Sequence, residues 1–232
     1  MIPHIVISPD SDSWAAMAAD IIGQKINEVV SYRSICNVML TGGNTAKALY
    51  THWAKCSSLP LNRIRFFFGD ERCVPPDHVD SNFALVLGTL LVNERPFEYS
   101  ITRMEAENPD REAAARAYED LLPESIDVLL LGMGVDGHIA SLFPFSNALS
   151  TQRTVIPVSG LNALHGRLTI TPPVIKHAKS VFLLAMGEEK GMVLAEAIKL
   201  QDDFMPLPVC LTLNGTWLLD DKAALQISTE SR

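Results

Sequence analysis

The chain predicts an α/β fold with an open, mostly parallel sheet and helices on both faces. Three observations carry that prediction. Short apolar runs alternate with amphipathic stretches along the 232 residues, the order from which parallel sheets are built. One run, VLLL at 128–131, is apolar without alternation, as strands buried on both faces are. Polar loops opening at Gly42, Gly69 and Gly132 each follow an apolar run, and strand C-termini in such a sheet gather on one edge, where distant loops form a single crevice.

Taken in order, residues 13–30 read as a helix, with Trp14, Met17, Ala18, Ile21, Ile22 and Ile26 in a stripe of helical period. Residues 35–41 form a buried strand that stops at Gly42-Gly43, and helical character resumes over 46–55. The next strand, 64–68, runs into Gly69-Asp70-Glu71-Arg72, which reads as a loop. A helix is expected at 82–91 and a short strand at 99–102. A stronger helix spans 109–122, with Pro109 in its first turn. Residues 126–131 are a central strand leading into a glycine-rich turn and an incipient helix beside His138. Strands follow at 154–158, 167–171 and 181–185, then a helix at 188–200 and a strand at 216–219, with Asp220 or Asp221 opening a terminal cap or helix. One domain over residues 1–232 is expected, large enough to bury its own core.

The formal net charge of −8 and the lack of a Lys/Arg run argue against a nucleic-acid partner. An anionic small molecule would need a local cluster of cations and backbone N–H donors. Cys36, Cys56, Cys73 and Cys210 show neither a CxxC pair nor a zinc spacing. They read as reduced structural thiols of a cytoplasmic protein. The opening MIPHIVISPD lacks the basic and long apolar parts of a secretory leader, and no stretch reaches the roughly 18 apolar residues of a membrane span. A soluble, unprocessed chain is expected, without a membrane partner.

Gly132, Gly134 and Gly137 match the GxGxxG dinucleotide pattern. The acidic ribose reader expected about 20 positions onward is missing, and neither glycine turn ends in the GK[ST] of a Walker A loop. What survives is a turn that permits close backbone approach to an anion or oxyanion and carries His138. With an ordinary pKa of about 6.5, an imidazole there suits a general base near neutrality; bracing the turn is the alternative. Asp136 either orients that imidazole or caps the turn.

The charges Asp70, Glu71 and Arg72 either form a structural network or place Arg72 as an oxyanion clamp with Asp70 fixing a partner. In the first loop, Gly42, Gly43, Asn44 and Thr45 are candidates to hold phosphate at a helix N-terminus, or form an ordinary capped turn. Arg167 and Lys190 are later basic candidates. Asp77, His78 and Asp80 superficially resemble a metal cluster but match no strong ligand spacing, so no metal is expected. His165 has only a weak claim to the site. Phe66, Phe67, Phe68 and Trp217 read as core packing.

TGGNT, FFFGDER, GMGVDGHIASLFP, GRLTITPPVI and the late GEEKG, continuing through TWLLDDKAAL, together resemble the 6-phosphogluconolactonase family over nearly the whole chain. The ordered pair GDER and DGHIASLFP is the most specific part. The resemblance implies a Rossmann-like, NagB-like architecture and metal-free, cofactor-free hydrolysis of 6-phosphoglucono-1,5-lactone to 6-phosphogluconate in the oxidative pentose phosphate pathway. It implies His138 as general base, Asp70 and Arg72 in the pocket, and Arg167 and Lys190 as further contacts. Asn44 stands where many relatives carry serine, which leaves the first-loop contacts open. The related glucosamine-6-phosphate deaminase/isomerases are the nearest alternative, but this chain has GDER in place of a DEY-like segment and SLFP in place of FNEP. A non-catalytic sugar-phosphate-binding protein is a second alternative. A monomer or weak homo-oligomer is expected.

Overall fold

The structure, a computed structural model, describes residues 2–56, 59–94, 98–159, 164–201 and 203–230. The elements run β1 His4–Ile7, α1 Trp14–Tyr32, β2 Cys36–Leu40, α2 Asn44–Cys56, β3 Ile64–Phe68, β4 Asp70–Arg72, α3 Asn82–Thr89, β5 Ser100–Ile101 and α4 Arg111–Leu121. They continue β6 Val128–Gly132, β7 Val155–Val158, β8 Arg167–Ile170, α5 Pro172–His177, β9 Val181–Ala185, α6 Glu188–Leu200, β10 Thr216–Leu219 and α7 Asp221–Glu230.

Seven strands form one parallel sheet in the order β1-β10-β9-β6-β2-β3-β5. From β2 the chain moves outward through α2 to β3; from β9 it moves the opposite way through α6 to β10. Because parallel crossovers are right-handed, the two directions put α2 and α6 on opposite faces. α1 crosses in the same sense as α2 and packs on it, while α7 packs on α6. The core is the layer between: Val38, Leu40, Phe66, Phe68 and the run 128–131 are wholly buried in the sheet, closed by Trp14, Ile22 and Ile26 of α1 and Leu194 of α6.

The chain's two directions diverge between β2 and β6, the topological switch where open α/β sheets bind ligands. Gly132 N–H donates to Thr41 Oγ1 at 3.2 Å across that gap. Tyr50, buried on α2, both accepts from Thr41 N–H and donates to Thr41 C=O, pinning the loop to the helix it starts.

Three expectations are corrected. Gly69–Arg72 is not simply a loop: Asp70–Arg72 is a strand of a second, antiparallel sheet, β4-β8-β7. The turn at 132–138 is followed by no helix; Ile139 makes bridges to Met133 and Leu142 instead. Pro109 lies before the cap of α4, because Asp110 accepts from Ala113 N–H and starts the helix at Arg111. β1 and α5 were not foreseen.

Candidate active site

Strand period explains the floor of the site. Side chains two apart in a strand share a face, and directly opposed residues of an antiparallel pair do too. Asp70 pairs with Thr169 and Arg72 with Arg167, so all four occupy one face of the small sheet. Glu71 points the other way and is buried. There it accepts from the backbone N–H groups of Arg72, Asn82 and Phe83 and from Ser81 Oγ. Burial pushes its carboxyl above the ordinary range, and those backbone bonds oppose the shift. Glu71 is thus the anchor for the start of α3.

That anchor sets Asn82, whose amide donates to both the carbonyl and Oδ1 of Asp70. A Cβ on Gly42 would lie 1.9 Å from Asn82 Oδ1, so the first loop fits only because residue 42 has no side chain. Asp70 is 4% exposed; its other oxygen accepts from Ser141 Oγ at 2.6 Å and faces Arg167 Nη1 at 3.6 Å. Burial lowers the Arg167 pKa, Asp70 opposes that, and Arg72 adds to it. The Nε atoms of Arg72 and Arg167 are buried without a hydrogen-bond partner, an unmet donor capacity suited to an anion.

His138 Nδ1 lies 2.6 Å from Asp136 Oδ1, which also accepts from His138 N–H. A carboxylate accepts only, so Nδ1 donates in this bond, and it is the neutral imidazole that offers a lone pair on Nε2. Phe143 packs against the imidazole with centroids 4.9 Å apart and lies 6.0 Å from the Arg167 guanidinium carbon. Ala140, at φ +48°, holds the loop in a left-handed conformation unusual for a residue with a Cβ.

These parts enclose a cleft of about 510 Å³ including its open mouth. The cleft gathers Gly42, Gly43, Asn44, Thr45, Asp70, Arg72, His138, Arg167 and Lys190 from the expected set. Gly134, Asp136 and Gly137, expected to bind substrate, do not line it. Gly134 and Asp136 back the imidazole, while Gly137 takes φ +81° against Leu207. Lys190 is half-buried, its pKa lowered by burial against the pull of Asp220. Thr41 of the first loop and Asn82, the last of the polar residues 77–82 that the sequence offered for the edge of the site, line the cleft too, as does Ala140, which was not singled out from the sequence. Ser141 spends its hydroxyl on Asp70. A larger depression of about 1090 Å³ lies at the strands' N-terminal ends, beside Lys25, Lys176 and Lys179. There Lys25 already pairs with Glu28 and Lys176 sits 4.8 Å over the Phe204 ring.

A parallel sheet with a carboxylate-held histidine and paired arginines lining one cleft defines an α/β protein with a site for an anionic small molecule. A profile of the glucosamine-6-phosphate isomerases/6-phosphogluconolactonase family matches residues 9–218. The chain is 33% identical to a 6-phosphogluconolactonase of Synechocystis sp. over 96% of its own length and 98% of the relative's. It is also 33% identical to a 6-phosphogluconolactonase of Mycobacterium tuberculosis, over 98% and 99%. A solved 6-phosphogluconolactonase from Shewanella baltica superposes with a TM-score of 0.84 at 26% identity, covering 94% of this chain and 97% of that one. The chain belongs to the glucosamine-6-phosphate isomerase/6-phosphogluconolactonase family.

Proposed function

We propose that this chain is a 6-phosphogluconolactonase, hydrolysing 6-phospho-D-glucono-1,5-lactone to 6-phospho-D-gluconate in the oxidative pentose phosphate pathway. The Asp136–His138 pair beside the cross-strand arginines carries the reading. The substrate phosphate is held by N–H groups of the first turn of α2 and by cationic side chains of the cleft. Water attacks the lactone carbonyl carbon as His138 Nε2 takes its proton. Arg72, or cleft N–H groups, steadies the tetrahedral oxyanion, a term worth about 3 kcal/mol when donors are preorganised. The intermediate collapses with cleavage of the bond to the ring oxygen, which receives the proton from His138, and the new carboxylic acid ionises. Asp70 acts by positioning Arg167 and Ser141. No nucleophilic serine enters, consistent with the engagement of Ser141.

The proposal includes a cytoplasmic setting and a monomer or weak homo-oligomer. Four scattered cysteines without a paired spacing fit a reducing compartment. Among the described residues no helix is long and apolar enough to cross a membrane.

Freshly generated lactone, corrected for spontaneous opening, tests the reading. The parent accelerates hydrolysis, and His138→Ala loses about 10²–10⁴ of that rate. No excess parental rate refutes the enzyme, and an undiminished folded variant refutes the base. Ammonia release from glucosamine 6-phosphate would place the chain in the deaminase branch instead.

A further inference from the structure

Three side chains of metal-ligating type converge outside the cleft, on segments next to those that carry Arg72 and Arg167. His78 and Asp80 lie on the turn between β4 and α3, and His165 lies two residues before Arg167 of β8. Asp77, grouped with the first two by sequence, is not part of the cluster; one donor atom each from His78, Asp80 and His165 lies within 4.8 Å of the others. His165 Nε2 is 3.2 Å and His78 Nδ1 3.8 Å from Asp80 Oδ2. Tetrahedral zinc with bonds of about 2.0–2.2 Å spaces neighbouring ligand atoms about 3.3 Å apart. The first spacing is what an ion requires, and on binding, rotation of these partly exposed side chains would close the other two.

His78 Nδ1 accepts from Asp80 N–H at 3.1 Å, so on binding an ion its lone pair would turn from that amide to the metal. Two imidazoles and one carboxylate, with a position left for water, are a donor set for zinc-class ions.

We propose that His78, Asp80 and His165 bind one divalent transition-metal ion of the zinc class, as a clip and not as a catalyst. Asp80 C=O accepts from Arg72 Nη1, and Gly166 C=O from Cys73 N–H. An ion on these three side chains would tie the turn that braces Arg72 to the segment that delivers Arg167. This inference stands apart from the lactonase reading.

The test uses the full chain, stripped by chelator and titrated with zinc by calorimetry. His52 Nε2 and Cys56 Sγ, 3.3 Å apart on α2, are a competing ligand pair, so the titration is repeated in Cys56→Ser. One zinc per chain in both, with a raised melting temperature, is expected. His165→Ala and His78→Ala should each weaken binding by at least about 10-fold, with unchanged far-ultraviolet dichroism. Cobalt in the same site should give tetrahedral d–d bands without thiolate charge transfer. No uptake, uptake abolished by Cys56→Ser, or affinity unchanged in His165→Ala overturns the proposal.

Discussion

Gly134→Ala tests whether catalysis depends on the pose of the His138 imidazole. A Cβ at residue 134 would lie 2.3 Å from His138 Nδ1 and Cε1 and 2.5 Å from Asp136 Oδ1, whereas ordinary contact begins at 3.4 Å. Relief requires the ring to move about 1.1 Å or the Asp136 bond to break. Misplacing a catalytic group by about 1 Å costs on the order of 10²-fold, so kcat should fall about that far. The phosphate-binding parts are untouched, and KM should hold within about threefold by the same reasoning. Gly134 has no positive φ, so alanine adds no backbone strain and the fold should persist. Stopped-flow hydrolysis of fresh lactone, paired with a thermal melt, reads both quantities. A variant that folds normally and turns over within about threefold of the parent would refute the argument that His138 needs this pose.

Asp70→Ala leaves Arg167 buried opposite Arg72 without its counter-charge, which should cost about 3–5 kcal/mol in urea denaturation. Lys190→Met should weaken binding of 6-phosphogluconate about 10- to 100-fold, the worth of a charged hydrogen bond. Because burial lowers the Lys190 pKa, parental binding should fade at alkaline pH below the ordinary lysine range, and the variant should lose that dependence; calorimetry with the product reads both. Glu119 accepts from Thr154 N–H, Val155 N–H and Arg153 Nη2. Burial pushes its carboxyl up, but these bonds outweigh it and leave the pKa below the ordinary 4.5. Its contribution is therefore complete above that value and lost as pH falls through the lowered one. Glu119→Gln should cost about 1–3 kcal/mol at pH 7, with the difference shrinking in acid. Thiol titration should find Cys56 fast and Cys36 silent, since Cys56 is exposed while burial pushes the Cys36 thiol up to about 12.

What was legible in the sequence was local. Residues 64–68 and 181–185 announce strands by apolar runs, and the two-residue spacing of Asp136 and His138 lets one orient the other. What was missed depends on partners far along the chain. Asp70–Arg72 carries no apolar alternation and becomes a strand because β8, about a hundred residues later, pairs with it. β1 is an edge strand made by pairing with β10. The need for glycine at 42 comes from Asn82, and nothing near residue 42 signals it. The helix expected after His138 yields to the Ile139 bridges. His78, Asp80 and His165 meet only after the small sheet has formed.

The facing pair Arg72 and Arg167 also bears on how the protein should be handled. Like charges opposed across a ladder repel; Asp70 offsets that repulsion at Arg167, and a bound anion would add to the offset. An anion that binds there would act as a folding ligand. At a hundred times its dissociation constant it adds about 2.7 kcal/mol to the native state. Purification buffers should therefore change shelf life, and a melting curve measured in phosphate describes a different thermodynamic species from one measured in chloride.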